Sequence, residues 1–150
     1  MTDYATWASR HPQAAAELCA IAGVPPQAQR DASSEARTQS DLRLAAAQAG
    51  FALWRNNNGA CCDDTGRMIR YGVGNDSQKL NAVWKSSDLI GIGPGGRFVA
   101  CEVKRPDWTK PENERDRAQL AFIGQVNALG GIGFFATHKD HYHEALRRVG

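Results

Sequence analysis

Two apolar runs joined by a glycine-rich turn constrain the fold of this chain more than any other feature. The first covers residues 89–92 directly after Asp88, and the second covers residues 97–103 and contains Glu102. The residues between them, 93–96, have the sequence GPGG, which is typical of a tight turn between paired strands. We therefore predict a β-hairpin whose pairing brings Asp88 close to Glu102.

The second run ends in the pattern Glu-x-Lys. Successive side chains of a strand point to opposite faces, so Glu102 and Lys104 are predicted to share one face with Phe98 and Ala100. The opposite face is apolar and consists of Val99, Cys101 and Val103. The polar pair is predicted to lie at the exposed end of the strand, where a site would open.

Converging carboxylates at Asp88 and Glu102 indicate a cation site. Two such groups repel each other and are costly to desolvate unless a positive charge lies between them. Hard oxygen ligands favour Mg²⁺, Mn²⁺ or Ca²⁺, and Lys104 can orient water or offset charge on a phosphoryl group. The alternative is a surface glutamate and lysine at the end of an edge strand, but the preceding aspartate and the turn favour a site.

Asp88 followed by Glu102-Val103-Lys104 resembles the Asp…Glu-x-Lys core of the PD-(D/E)xK nuclease superfamily. Further segments resemble the virus-type replication-repair nuclease (VRR-NUC) domain in the form typical of phages and prophages. These segments are Ser34-Glu35 at a helix start, residues 54–59, residues 87–91, residues 102–106, and Gln119 with Phe122-Ile123 and Gly130-Gly131. The resemblance covers roughly residues 33–145.

The resemblance implies an α/β fold with a mixed central β-sheet flanked by helices, a restriction-endonuclease-like core. It implies hydrolysis of DNA phosphodiester bonds with Mg²⁺, for which Mn²⁺ can substitute. The implied metal ligands are Asp88, Glu102 and the carbonyl of Val103. The implied catalytic residues are Glu35, Asp88, Glu102, Lys104 and Gln119.

The resemblance also gives each of these residues a role. Glu35 helps through a second metal or a water, although an acid in the first turn of a helix also suits the helix dipole without any function. Lys104 positions the attacking water, and Gln119 supports the lysine or the water. Substrate contacts are predicted for Arg55, Asn56, Ser87 and Arg105. An arginine offers phosphate a planar fork of donors, and the alternative for the asparagine-rich segment is a plain loop.

The remaining pattern predicts helices and strands around the hairpin. A helix is predicted over residues 35–49, with Ser33 or Ser34 as N-cap and Gly50 as terminator. The other predictions are a strand over residues 51–55, a hairpin and polar loop over 60–82, a helix over 116–129, a strand over 132–137 and a helix over 140–148. Apolar residues of the helix over 116–129 are predicted to lie mostly in the core.

Residues 1–30 are predicted to form an N-terminal helical extension to a nuclease-like domain of residues 31–150. A helix over residues 4–22 is expected to bury one apolar stripe, which consists of Trp7, Ala14, Leu18 and Ile21. It either packs on the core or forms a dimer contact. An accessory helix without a catalytic role is the favoured interpretation.

Composition limits the partners and the compartment. The formal net charge of +2 gives no global argument for nucleic acid, so any phosphate-binding surface is a local patch. Four cysteines without CxxC spacing are predicted to be free thiols, which fits a reducing compartment. No apolar run approaches membrane-spanning length. We therefore expect a cytoplasmic protein without a membrane partner, and the resemblance places it in a bacterial host of a phage or prophage.

Two other clusters of possible ligands are interpreted as structural. The pair Asp63-Asp64 fits a turn, and the spacing of His138, His141 and His143 favours surface or capping roles over metal binding. Basic and aromatic side chains of the hairpin over residues 60–82 are weaker candidates for DNA contact.

Small stand-alone members of the resembled family are thought to act as dimers on four-way junctions. The resemblance therefore implies a homodimer that cuts branched DNA, such as a four-way (Holliday) junction. One alternative function is a DNA-binding homologue that has lost cleavage. Another is a phosphoesterase acting on small nucleotides, which the absence of a P-loop does not rule out.

Overall fold

A computed structural model of the chain describes Trp7, residues 10–22 and residues 35–148. The helices are α1 (Pro12–Ile21), α2 (Glu35–Gln48), α3 (Gln78–Val83), α4 (Glu114–Ala128) and α5 (Asp140–Arg147). The strands are β1 (Ala52–Arg55), β2 (Gly59–Cys62), β3 (Met68–Tyr71), β4 (Leu89–Ile92), β5 (Phe98–Val103) and β6 (Ile132–Ala136).

Four strands form a mixed central sheet in the order β1-β4-β5-β6. β1 pairs with β4 and β4 with β5 in antiparallel fashion, whereas β5 and β6 are parallel. A parallel neighbour requires a crossover, and α4 provides it between β5 and β6. Strands β2 and β3 form a separate antiparallel pair. The predicted α/β class, with a mixed sheet flanked by helices, is confirmed.

The two faces of the sheet pack against different helices. On one face, Val99, Cys101 and Val103 join a core with α2 and α5 that includes Leu42 and Tyr142. On the other face, Ala100 packs with residues of α4, namely Phe122 and Val126. The alternation predicted for β5 is confirmed. The predicted exposure of its polar end is wrong, because α4 also covers Glu102, which is 2% exposed.

The hairpin of β4 and β5 has the predicted position. Its register pairs Leu89 with Cys101 and Ile92 with Phe98, and the turn is closed by a 2.9 Å hydrogen bond from the Gly93 amide to the Arg97 carbonyl. Gly95 and Gly96 have φ angles of 65° and 76°, the left-handed region that glycine adopts most easily.

Most of the other predicted elements also occur. The structure contains α2, β1, the β2–β3 hairpin, α4, β6 and α5 within one or two residues of the predicted bounds. Gly50 ends α2 with a φ of 79°. The Asp63 side chain accepts hydrogen bonds from the amides of Thr65 and Arg67, which confirms the predicted turn. The proposed caps Ser33 and Ser34 lie outside the described residues.

Three sequence interpretations need correction. The segment predicted as a polar loop contains α3, which is too short for periodicity to reveal and is capped by Ser77 through a 3.1 Å bond from the Leu80 amide. The predicted stripe of α1 is not buried, since Ile21 is 85% exposed. Leu120 and Leu129 are also exposed, because α4 packs through its neighbouring face.

No helix in the described part of the chain is both long and apolar enough to span a membrane.

Gly91 provides a test of how closely β1 and β4 pack. A Cβ atom at Gly91 would collide with the backbone carbonyl of Ala52, whereas a Cβ at Gly124, exposed on α4, would meet nothing within 4 Å. We expect Gly91→Ala to lower the free energy of unfolding by about 1–3 kcal/mol. Gly124→Ala should raise it by about 0.5–1 kcal/mol through helix propensity. Urea unfolding followed by circular dichroism measures both, and a shift of the same sign in both variants would contradict this packing.

Candidate active site

Asp88 and Glu102 lie opposite each other where β4 begins, one position beyond the paired residues Leu89 and Cys101. The Glu102 carboxylate accepts a 3.2 Å hydrogen bond from the Asp88 amide. The Asp88 carboxylate in turn accepts a 3.1 Å bond from the Val103 amide. These reciprocal bonds fix both side chains across the strand pair, so the predicted approach of the two acids is confirmed.

Lys104 extends the site on the same face. Its ammonium donates hydrogen bonds of 2.7 Å to Asp116 and 2.7 Å to Gln119, and it lies 3.4 Å from Glu102 Oε1. The Gln119 amide donates to the same Glu102 oxygen. Lys104, Gln119 and Glu102 therefore form a closed triangle of polar contacts, with Asp116 as a further anionic partner of the lysine.

The electrostatics of Glu102 are unusual for a glutamate. Burial raises its pKa, the nearby Asp88 carboxylate raises it further, and Lys104 only partly opposes them, so that the pKa is about 8. An added positive charge beside Asp88 and Glu102 is thus favoured by the protein itself.

Asp116 is a site residue that the sequence analysis missed. Burial opposes its ionisation, but hydrogen bonds from Lys104, Trp108 and the Glu112 amide together lower its pKa. Its own amide donates a 2.8 Å bond to the Asn113 side chain, which caps α4. The signal was present in the sequence: a capping pair Asn113-x-x-Asp116, with Asp116 three residues before Gln119 on one helical face.

An aromatic wall encloses the lysine. Phe135 is the partner of Glu102 in the β5–β6 register, and the Lys104 ammonium lies 5.8 Å from the centre of its ring. Trp108 stacks on Phe135 with ring centres 4.8 Å apart and donates its indole N–H to Asp116 at 3.3 Å. This wall limits the water around the ammonium and strengthens its charged contacts.

Two predicted substrate contacts have other roles in the structure. The Asn56 side chain donates to the Ser86 hydroxyl and the Ser87 carbonyl, both at 2.9 Å, and accepts from the Val73 amide at 3.1 Å. Its polar atoms are engaged within the protein, so it positions the loop instead of binding phosphate. Ser87 is 1% exposed, which prevents its side chain from reaching a substrate.

Arg55 and Arg105, the other predicted substrate contacts, are exposed. Arg55 lines an open cleft of about 420 Å³, and Asp88 lies in the same cleft. The remaining lining residues are Gln39, residues 56–58 and Tyr71. Tyr71 belongs to the hairpin whose aromatic side chains were predicted only as weaker candidates for DNA contact. Gln39 was not predicted as a site residue, because it comes from α2, which only the tertiary fold brings to this edge of the sheet.

The structure does not bring Glu35 to the two acids. In the described part of the chain, no group of three or more histidine, cysteine, aspartate or glutamate side chains is placed to hold a metal. Glu35 lies exposed in the first turn of α2, and α2 packs on the sheet face opposite Glu102. The predicted contribution of Glu35 to the metal site is thus not supported by its position.

The histidines have the predicted capping and surface positions. His141 accepts a 3.2 Å hydrogen bond from the Thr137 amide, and the exposed His138 accepts one of 3.4 Å from the Asp140 amide.

The donor set at Asp88 and Glu102 fits Mg²⁺. This ion keeps several waters and is commonly held by one or two carboxylates together with substrate phosphate, so a third protein carboxylate is not required. The structural observation that supports the fit is the convergence of the Asp88 and Glu102 carboxylates, which reciprocal hydrogen bonds from the Val103 and Asp88 amides hold across the strand pair. The raised pKa of Glu102 agrees with a site that favours an added positive charge. The Val103 carbonyl belongs to the residue whose amide already bonds Asp88.

Comparison of the chain with protein-family models, curated proteins and solved structures gives no match.

The pKa of Glu102 predicts how stability depends on pH without metal. Because the folded-state pKa of about 8 exceeds the ordinary value of 4.5, the folded protein binds the proton more tightly than the unfolded chain. This contribution is complete below pH 4.5 and is lost as pH rises to 8, with a slope of up to about 1.4 kcal/mol per pH unit. Glu102→Gln should remove that slope. Urea titrations in EDTA from pH 5 to 8 measure it, and equal slopes for both proteins would contradict the assignment.

Proposed function

We propose that the protein is a metal-dependent DNA endonuclease of the PD-(D/E)xK superfamily, of the VRR-NUC type, that hydrolyses phosphodiester bonds. One observation carries the proposal. Asp88 and Glu102 are interlocked across two strands, and Lys104 lies two residues along the same face in contact with Glu102. Two acids and a lysine in this relation suit phosphoryl chemistry better than they suit a structural ion pair. Among the described residues Lys104 forms a salt bridge with Glu102 and not with Asp88, and Lys85 is a second cation close enough to interact with both acids.

Asp88, Glu102 and the Val103 carbonyl would hold Mg²⁺, or Mn²⁺ in its place. When bound, the ion supplies Lewis acidity that lowers the pKa of water and neutralises charge on the reacting phosphoryl group. The protein fixes the orientation of its own ligands: the Asp88 amide holds one oxygen of Glu102, and Gln119 holds the other. The Val103 amide holds Asp88.

Lys104 would position the attacking water through its own ammonium. Two of its three N–H groups are taken by Asp116 and Gln119 at 2.7 Å, and the third has only the longer 3.4 Å contact to Glu102. The third N–H is therefore the one that can turn to the attacking water or to a phosphate oxygen. Asp116 and Gln119 act as positioning residues that keep this donor on the metal side of the site.

Substitutions at the site test the proposal directly. We expect Lys104→Ala and Glu102→Ala to reduce cleavage of labelled DNA by at least about 100-fold, the usual effect of removing a group that stabilises developing charge. Lys110→Ala, at an exposed lysine in the loop that follows β5, is the matched control and should cut normally. Because Glu102 and Lys104 are enclosed, circular dichroism must first show that each variant is folded. Wild-type rates in folded variants would refute the assignment.

Metal binding distinguishes Asp88 from Glu35. Asp88→Asn should weaken Mg²⁺ binding more than Glu35→Gln does, since only Asp88 lies beside Glu102. Isothermal titration with Mg²⁺ and Mn²⁺ measures the order. A larger loss in Glu35→Gln would show that the first turn of α2 reaches the metal after all.

Two alternatives give different results in the same assays. A DNA-binding homologue without cleavage would bind linear, flap and four-way DNA in Mg²⁺ or Mn²⁺ but leave the strands uncut. A phosphoesterase for small nucleotides would hydrolyse mononucleotides and ignore DNA. Incubating the wild-type protein with each substrate separates the three functions.

The proposed nuclease acts as a homodimer on branched DNA, in the cytoplasm of a bacterial host of the phage or prophage that encodes it. A twofold dimer presents two sites to the two strands of one branched molecule. The exposed Ile21 and the half-buried Leu18 of α1 offer an apolar surface for such a contact. Sedimentation at micromolar concentration is expected to give a dimer, and four-way DNA should outcompete linear duplex. A monomer that cuts both equally would refute this part and leave the nuclease assignment intact.

A further inference from the structure

The cleft beside Asp88 has one aromatic side chain among polar neighbours. Tyr71 is 48% exposed and lines the same cleft as Asp88 and Arg55. The cleft volume of about 420 Å³ lies within the range of roughly 300–1,000 Å³ that is typical of small-ligand sites. An exposed ring at a polar cleft does not contribute to the core, since strands β2 and β3 lie outside the central sheet.

The position of the Tyr71 ring is fixed by its partner on the neighbouring strand. Tyr71 pairs with Gly59 in the β2–β3 register, and a Cβ atom on Gly59 would collide with the Tyr71 ring and hydroxyl. The ring therefore lies close against Gly59, and Tyr71 remains 48% exposed. A ring held in this way loses little conformational entropy on binding.

A network of polar side chains ties this hairpin to the strand that carries Asp88. The Ser86 hydroxyl donates to the Val73 carbonyl and accepts from both Asn56 and Asn58. Asn75, which is 4% exposed, donates to the carbonyls of Gly59 at 2.7 Å and Tyr71 at 2.8 Å. Tyr71 and Asp88 are thus held in a fixed relation even though they belong to different sheets.

The positive charge of the cleft comes from Arg55. Burial and the neighbouring Arg55 lower the pKa of Arg43, which shows that the two guanidinium groups lie close enough to repel. Bringing a phosphate to Arg55 relieves this repulsion and offers a bidentate partner. One wall of the cleft thus suits phosphate, and Tyr71 suits a flat apolar ring.

We propose that this cleft binds an unpaired nucleotide of the DNA next to the scissile phosphate, with its base stacked on Tyr71 and its phosphate on Arg55. The inference rests on the proposed nuclease function and adds the feature of the substrate that the site recognises. A base inside a duplex has both faces covered by its neighbours, so only an unpaired base can offer a face to Tyr71. Gapped and flapped DNA supply such bases, and a four-way junction supplies them where a base pair at the branch point opens. The interior of a linear duplex does not.

The test compares binding of two DNAs in Ca²⁺, by fluorescence anisotropy. One is a duplex with a gap that leaves one unpaired nucleotide, and the other is the same duplex fully paired. Wild-type protein should prefer the gapped DNA. Tyr71→Ala should weaken binding of the gapped DNA by about 10- to 100-fold, the usual effect of losing one base–aromatic stack, and bind paired DNA as before. Tyr71→Phe should keep the preference, because it retains the ring.

Two further variants serve as controls. Gly59→Ala keeps the tyrosine, but the added Cβ atom displaces the ring, so this variant should also lose the preference for gapped DNA. Met68→Ala, at an exposed residue on the opposite face of the same hairpin, should keep it. The fluorescence of 2-aminopurine placed at the unpaired position should be quenched by the wild-type protein and by Tyr71→Phe. Tyr71→Ala should not quench it.

The outcomes separate this inference from the nuclease assignment. If wild-type protein cuts DNA in Mg²⁺ and Tyr71→Ala retains the preference for gapped DNA, the stacking site is refuted and the nuclease assignment stands. If wild-type protein neither binds nor cuts any of the DNAs, both fail. Loss of the preference for gapped DNA in both Tyr71→Ala and Gly59→Ala, with the preference kept in Tyr71→Phe and Met68→Ala, supports the inference.

Discussion

The contact between the Lys104 ammonium and the buried acids is the interaction on which the site depends. Burying charge is costly, and removing one partner from such a group leaves the others uncompensated. Asp116 and Gln119, both on α4, provide the two shortest bonds to Lys104 on β5. The network therefore fixes the position of the lysine and the rotation of α4 on the sheet. The helix that covers the site is thus aligned by its own bonds to Lys104.

The acid pair imposes a second constraint. Strand pairing, which is antiparallel except between β5 and β6, places Asn56, Asp88, Glu102 and Phe135 in one row across the central sheet. The row ends in a loop asparagine on one side and an aromatic wall on the other, with both acids between. The oxygens of the buried Glu102 are bonded by the Asp88 amide and Gln119, and burial beside Asp88 raises the pKa of Glu102, which favours binding of a proton that offsets the repulsion. A cation can serve the same purpose, so the chemistry proposed for the site follows from the electrostatic problem that the fold creates.

The sequence predicted the sheet well and the surroundings of the site poorly, for a physical reason. Strand alternation and the GPGG turn depend only on residues that are close in sequence. The shared face of Glu102 and Lys104 and the closeness of Asp88 to Glu102 could therefore be predicted. Whether an asparagine points to solvent or into a network depends on what another segment supplies. Asn56 bonds Ser86 and Ser87, which lie about thirty residues away, and no local pattern indicates this. Asp116 was missed although its capping pattern was visible, because its side chain both accepts from the capping residue Asn113 and binds Lys104, and the capping role alone explains an acid at this position.

The burial of Ser86 and Ser87 explains why the hairpin outside the central sheet can take part in function. A two-stranded hairpin is marginally stable alone, so one that carries exposed apolar side chains needs an anchor. Ser86 provides that anchor two residues before Asp88, through Asn56, Asn58 and the Val73 carbonyl. These bonds connect the hairpin to the start of β4, so in the proposed nuclease a DNA strand bound to the hairpin would be held at a defined distance from the acids. A connection of this kind would favour selection of DNA by shape, because a substrate would have to fit the hairpin and the cleft together.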